Sequence, residues 1–170
     1  DDRLFVACAT SNAVYVIDTA RGTVQEVIHT ALFPSSPEGS TPDALALNSD
    51  GEYLYVANAD NNCVAVIEVE EPRKSIIKGF IPTGWYPGAV LLAPDGKRLF
   101  VANIKGHGAL SQPRPAEKGK NSHDHLGSVS IVEVPDDARL AGYTLTVNAN
   151  NRLAQSLAGL EGPNTGAVPV

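Results

Sequence analysis

The sequence predicts an all-β fold of four-stranded antiparallel sheets set as blades of a β-propeller: a partial propeller of about three blades, then a short C-terminal helix. Three observations carry this expectation. A pattern recurs along the chain, as "RLFVACATSNAVYVID" from Arg3, "YLYVANADNNCVAVIE" from Tyr53, and "RLFVAN" from Arg98 continued by "GSVSIVE" from Gly127. Its anchors Leu4, Leu54 and Leu99 lie 50 and 45 residues apart, a spacing that belongs to arrays of small sheets. The runs "LFVA", "VYVI" and "VAVI" hardly alternate with polar residues, so both faces of each sheet need a cover, and stacked blades provide one.

Within each copy, short segments rich in Val, Ile and Tyr are broken by Gly, Pro, Asn and Asp, the pattern of strands joined by turns. The middle copy resolves into strands at Asp43–Leu47, Tyr53–Ala57, Val64–Val69 and Ser75–Ile81. Asp50-Gly51 and Asp95-Gly96 mark tight turns before the second strand of the middle and last copies, since glycine adopts positive φ without steric cost. The first copy begins at its second strand and gives a partial blade over 3–29, followed by blades over 41–81 and 87–147, the last interrupted by an insertion at 104–127. In the tail, 148–170, Leu153, Leu157 and Leu160 have helical spacing behind a potential cap at Asn151, and Gly162-Pro163 stops the helix and opens a linker.

Composition removes some classes of function. A net charge of −6 and a pI near 5.1 argue against nucleic acid as a partner, because phosphate binding draws on clustered Lys and Arg. No apolar stretch approaches the roughly 20 residues of a membrane span, and no signal peptide is recognisable. Cys8 and Cys63 occupy non-equivalent positions in the repeat, which favours free thiols over a disulfide. The sequence contains no nucleophile elbow, phosphate-binding glycine loop or paired zinc motif.

Because strands of a blade alternate in direction, connections sort by face. One face carries only turn-like links, "NSDG", "PDG", "EEPRK" and "PDDAR"; the other carries "TALFPSSPEGST" at 30–41, "PTGWYP" at 82–87 and the long insertion. This looped face is the candidate for function, since binding residues concentrate on loops held by a rigid scaffold. Its candidate residues are Trp85, Tyr86, Lys105, His107, Arg114, His123 and His125. The aromatic pair offers a platform for a sugar, a peptide or another domain, but for Trp85 the favoured reading is packing against the next blade. His123, Asp124 and His125 could approach one metal ion, but a zinc site needs three or four fixed ligands, and neither a metal nor any other cofactor is assigned.

"YVANADNNCVAVIEV", "FIPTGWYPGAV" and "APDGKRLFVANIKG" resemble the YVTN-type, or YncE-like, surface-layer propellers. More narrowly, "GSTPDALALNSDGEYLYVANADNN" followed by "GWYP" is similar to the propeller part of bacterial bifunctional proteins in which an alkaline-phosphatase-superfamily phosphoesterase domain follows. The similarity runs from about Arg3 to Asn151. It implies an exported bacterial protein whose catalytic metals and nucleophile belong to the following domain. It also implies, as partners, the remaining blades and that C-terminal domain.

The expected function is therefore a noncatalytic propeller segment that scaffolds an exported phosphoesterase-type protein and recognises a small molecule, a glycan or a neighbouring domain. A cell-surface adhesion module without an enzyme domain is one alternative. A propeller enzyme such as a lactonase is the other.

Overall fold

The computed structural model describes residues 2–108 and 126–161. Three antiparallel sheets follow one another along the chain. The first contains β1 (Arg3–Cys8), β2 (Ala13–Asp18) and β3 (Thr23–His29). The second orders β4 (Pro42–Leu47), β5 (Tyr53–Asn58), β6 (Cys63–Glu68) and β7 (Ile76–Pro82) side by side. The third contains β8 (Trp85–Leu92), β9 (Arg98–Gly106) and β10 (Ser128–Glu133). Helices α1 (Asp137–Asn150) and α2 (Leu153–Glu161) follow. The architecture is that of a partial β-propeller, and the middle sheet reproduces the four strands read from its sequence to within one residue at either end.

The unbroken apolar runs find the two-sided cover that they require. Between the first and second sheets, Val14, Val16 and Ile28 pack with Leu54, Val56, Ala65 and Ile67. Between the second and third, Tyr55, Val64 and Val66 pack with Val90, Leu99 and Val101. Successive residues of β5 and β6 thus enter different cores, and each fully buried Val, Leu or Ile contributes about 1.5–3 kcal/mol. Cys63 lies within the first of these cores as a free thiol, and burial pushes its pKa strongly upward, which leaves it inert; Cys8 is also free and half-buried.

The turns behave as their sequences require. Gly51 and Gly96 have φ of 80° and 69°, and in both turns the preceding Asp accepts a hydrogen bond from the backbone N–H two residues on, Glu52 or Lys97.

The third sheet departs from the expected blade over 87–147. Where a fourth strand was expected after "PDDAR", the chain forms α1. "YTLTV" has the β-branched and aromatic content of a strand, but Asp136 accepts the Arg139 N–H at 2.8 Å as an N-cap, and Leu140 and Val147, seven residues apart on one helical face, are both buried. The cap and the buried face outweigh strand propensity. Asn151 likewise acts at the end of α1, donating its backbone N–H to Val147 O at 3.0 Å, rather than as the N-cap of α2.

Helix α1 runs along β7, the outer strand of the middle sheet, whose second edge would otherwise be open. Thr144 Oγ1 accepts the Phe80 N–H at 2.9 Å and donates to Leu140 O at 2.8 Å, satisfying an edge donor. The close approach depends on Gly79: a Cβ there would lie 2.5 Å from Thr144 Oγ1 and 2.9 Å from Leu140 Cγ. Gly79→Ala is expected to push α1 away from the edge at a cost of about 1–3 kcal/mol, read as a lower urea midpoint. An unchanged midpoint would show that the helix does not stabilise the sheet.

Candidate functional site at the looped face

The looped face is organised by one device used twice. Asn12, between β1 and β2, and Asn62, between β5 and β6, occupy equivalent turns of the repeat, and both are left-handed, with φ of 50° and 53°. Asn tolerates this conformation better than other non-glycine residues. Each then reaches to the loop that leads into the next sheet. Asn12 Oδ1 accepts the N–H groups of Gly39 and Ser40 at 2.9 and 2.7 Å, while Asn62 Oδ1 accepts the Tyr86 N–H at 2.8 Å. Each backbone carbonyl accepts a second bond, from Thr30 N–H to Asn12 and from Thr83 N–H to Asn62. The turn of one blade thereby fixes the start of the innermost strand of the next.

Those inner strands share a second irregularity. Thr41 and Tyr86, each preceding a proline, are left-handed at φ of 52° and 58°, and the register of β4 and β8 slips just after Pro42 and Pro87. The unpaired residues are Asp43 and Gly88, and such bulges re-aim a side chain near the end of a strand. Aligning "TPDALAL" with "YPGAVLL" shows the two positions to be equivalent. The missing side chain of Gly88 makes room for Ile104, whose Cδ1 would lie 2.4 Å from a Cβ there, while Asp43 Oδ2 lies at an ordinary contact distance of 4.0 Å.

Asp43 is an exposed residue, yet partial desolvation of its carboxyl among the strand ends pushes its pKa up to about 6. The Asp60 carboxylate pushes in the same direction, and Asp43's own backbone N–H opposes them. Asp60 is itself held by the Thr41 hydroxyl, which donates to its Oδ2. A carboxylate that titrates near 6 is ionised at neutral pH and still basic enough to take a proton from water.

Of the residues singled out from sequence, the structure brings Tyr86 and Lys105 together: the Lys105 ammonium lies 4.1 Å from the centre of the Tyr86 ring, within cation–π range. Trp85 opens β8 of the third sheet. Its ring lies under Gly108, where a Cβ would come within 2.1 Å of it, and it remains 44% exposed. His107 is exposed beside this contact. Arg114, His123, Asp124 and His125 lie outside the described residues. Among the described residues, no group of three or more His, Cys, Asp or Glu side chains could hold a metal ion.

Sequence reading missed Asp43, Asp60 and the paired asparagines. The signal was present in the repeat: Asn12 and Asn62 recur in register, whereas the Asp43 position does not, giving way to Gly88 in the next copy.

The model of the seven-bladed β-propeller lactonases matches residues 1–138. The chain belongs to that family. Among solved structures, this lactonase-family chain is similar to a Lactobacillus plantarum protein, at 26% identity and a TM-score of 0.53, covering 61% of this chain and 31% of that one. It is similar to a putative 6-phosphogluconolactonase from Bacteroides uniformis, at 25% identity, a TM-score of 0.51, and coverage of 61% and 30%. It also resembles Kuenenia stuttgartiensis hydrazine synthase, at 26% identity, a TM-score of 0.51, and coverage of 61% and 26%. The chain thus spans less than a third of the length of each. No curated protein matches it. The reading of the segment as a non-enzyme is overturned: the family takes its name from a hydrolase, and one similar structure is described as a putative 6-phosphogluconolactonase.

Two outcomes follow from the site geometry. Asn62→Gly keeps the left-handed turn but removes the acceptor for Tyr86 N–H, and should cost about 1–3 kcal/mol while speeding hydrogen exchange at that amide; exchange at the wild-type rate would rule the clamp out. Asp43 is less acidic folded than unfolded, so ionising it opposes folding above pH 6, and the effect vanishes below the ordinary carboxyl value of 3.8. Asp43→Asn should therefore raise Tm at pH 8 and leave it unchanged near pH 3, as measured by calorimetry.

Proposed function

We propose that this chain supplies part of a lactone-hydrolysing site at the looped ends of β4 and β8. The carrying observation is Asp43, a carboxylate at a bulge, raised to about 6, beside Gly88 of the adjacent sheet's inner strand. Asp43 acts as the general base. It takes a proton from a water molecule as the water oxygen bonds to the lactone carbonyl carbon; the ring C–O bond then breaks, and the departing alkoxide receives that proton to give the open hydroxy acid. Lys105, held over Tyr86, attracts an anionic group on the substrate, and the Tyr86 and Trp85 rings offer apolar surface to a sugar ring.

The family match and the likeness to the putative 6-phosphogluconolactonase support a sugar lactone as the substrate class. The resemblance to YVTN-type propellers of phosphoesterase proteins bears on context: we propose an exported parent whose further blades complete the mouth of the site.

With the blank rate subtracted, hydrolysis of 6-phosphogluconolactone and of gluconolactone tests the proposal. Asp43→Asn should lower kcat about 10²–10⁴-fold. Wild-type kcat/KM should fall as pH drops through about 6, where the base becomes protonated. Lys105→Ala should raise KM for the phosphorylated lactone alone. Full activity in Asp43→Asn would refute the assignment of the base.

A further inference from the structure

The left-handed residue before each inner-strand proline is held by a side chain just past the end of the next strand, and the repeat does this twice with different chemistry. In "YLYVANAD" and "RLFVANIK" the eighth residue is Asp60 in one copy and Lys105 in the next, while Thr41 and Tyr86 share the position before the proline. Asp60 accepts a hydrogen bond from the Thr41 hydroxyl, and Lys105 sets its ammonium 4.1 Å from the centre of the Tyr86 ring. The same two positions stay in contact although both side chains differ, which makes the contact itself a part of the frame.

The need for it is greatest at Thr41. A β-branched residue rarely adopts a left-handed backbone, and the ring of Pro42 presses its predecessor toward extended conformations, so a φ of 52° persists only where the surroundings impose it. Three hydrogen bonds do so. Thr41 O accepts the Ala59 N–H at 2.9 Å, Ser40 O accepts the Asp60 N–H at 3.3 Å, and the Thr41 hydroxyl donates to the Asp60 carboxylate. Immediately afterwards Pro42 pairs with Asn58, Asp43 is skipped, and pairing continues between Ala44 and Ala57. The conformation of Thr41 therefore sets the course on which the chain enters the bulge.

We infer that Asp60 is a positioning residue: by holding the Thr41 hydroxyl it fixes the left-handed backbone from which the chain enters the bulge at Asp43. The inference rests on Asp43 as the general base and adds to that reading a residue that touches neither the substrate nor the reacting atoms. Asp60 is exposed, so changes at this tie leave the core intact.

The test follows Asp43 in two ways, by carbon NMR titration of its carboxyl and by kcat on 6-phosphogluconolactone. Thr41→Val keeps the branched shape and the Asp60 charge but loses the hydroxyl. With the tie gone, Asp43 should become more solvated, its titration moving from about 6 toward the ordinary 3.8. In the same variant kcat should fall by up to about 10²-fold with KM little changed. Asp60→Ala should lower kcat similarly, and the double variant should lose no more than either single one, since both break one contact. Thr41→Ser, which returns the hydroxyl, should restore both readings. Should circular dichroism show Thr41→Val to be unfolded, Thr41→Ala replaces it. A wild-type titration midpoint in Thr41→Val would overturn the inference, as would a wild-type kcat there if Asp43→Asn is inactive. Full activity in Asp43→Asn would instead remove the general base, and the titration would still decide whether the Thr41–Asp60 tie positions that carboxylate.

Discussion

The constraint behind the rest of this molecule is that its sheets are apolar on both sides. A sheet such as β4–β7, whose two central strands are almost wholly buried, cannot exist with one face in water, so each sheet requires a neighbour before and behind. Stacking satisfies both demands and sets the strand ends of adjacent blades beside one another. The looped surface is a by-product of that stacking, because the inner strands of neighbouring sheets end together on one face while the turns stay short on the other.

The looped face is then held by polar contacts rather than by burial. Asn12 and Asn62 meet two requirements at once, a left-handed backbone and an acceptor aimed across the gap between sheets. Alanine would fail both, glycine only the second. The bulges at Asp43 and Gly88 exploit the rigid frame that results. A slip after the proline of each inner strand carries a carboxylate in one blade and a glycine in the next, so equivalent positions of the repeat present different chemistry.

Much of the fold was legible because period and apolar pattern are local properties: the strands of the middle copy, the Asp-Gly turns and the division into plain and looped faces are read directly from residues. Helix α1 was not, since "YTLTV" carries strand propensity and its helical state depends on burial of Leu140 and Val147 and on an opening left by Gly79, which are tertiary facts. For the site, Tyr86 and Lys105 stood out as an aromatic and a cation in loops. Asp43 did not, because an aspartate beside a proline at a strand start reads as turn chemistry until the bulge and the facing Gly88 show its surroundings.

Helix α1 also links distant parts of the molecule mechanically. It begins near the plain-face end of β10 and finishes at Asn151, whose side-chain amide donates to Asn61 O at 3.0 Å. Asn61 adjoins Asn62, which holds the backbone of Tyr86. The helix thus packs along β7 and is bonded at its tip to the turn that holds the Tyr86 backbone. A sliding of α1 along that strand would be transmitted to the position of the Tyr86 ring and of the ammonium resting on it.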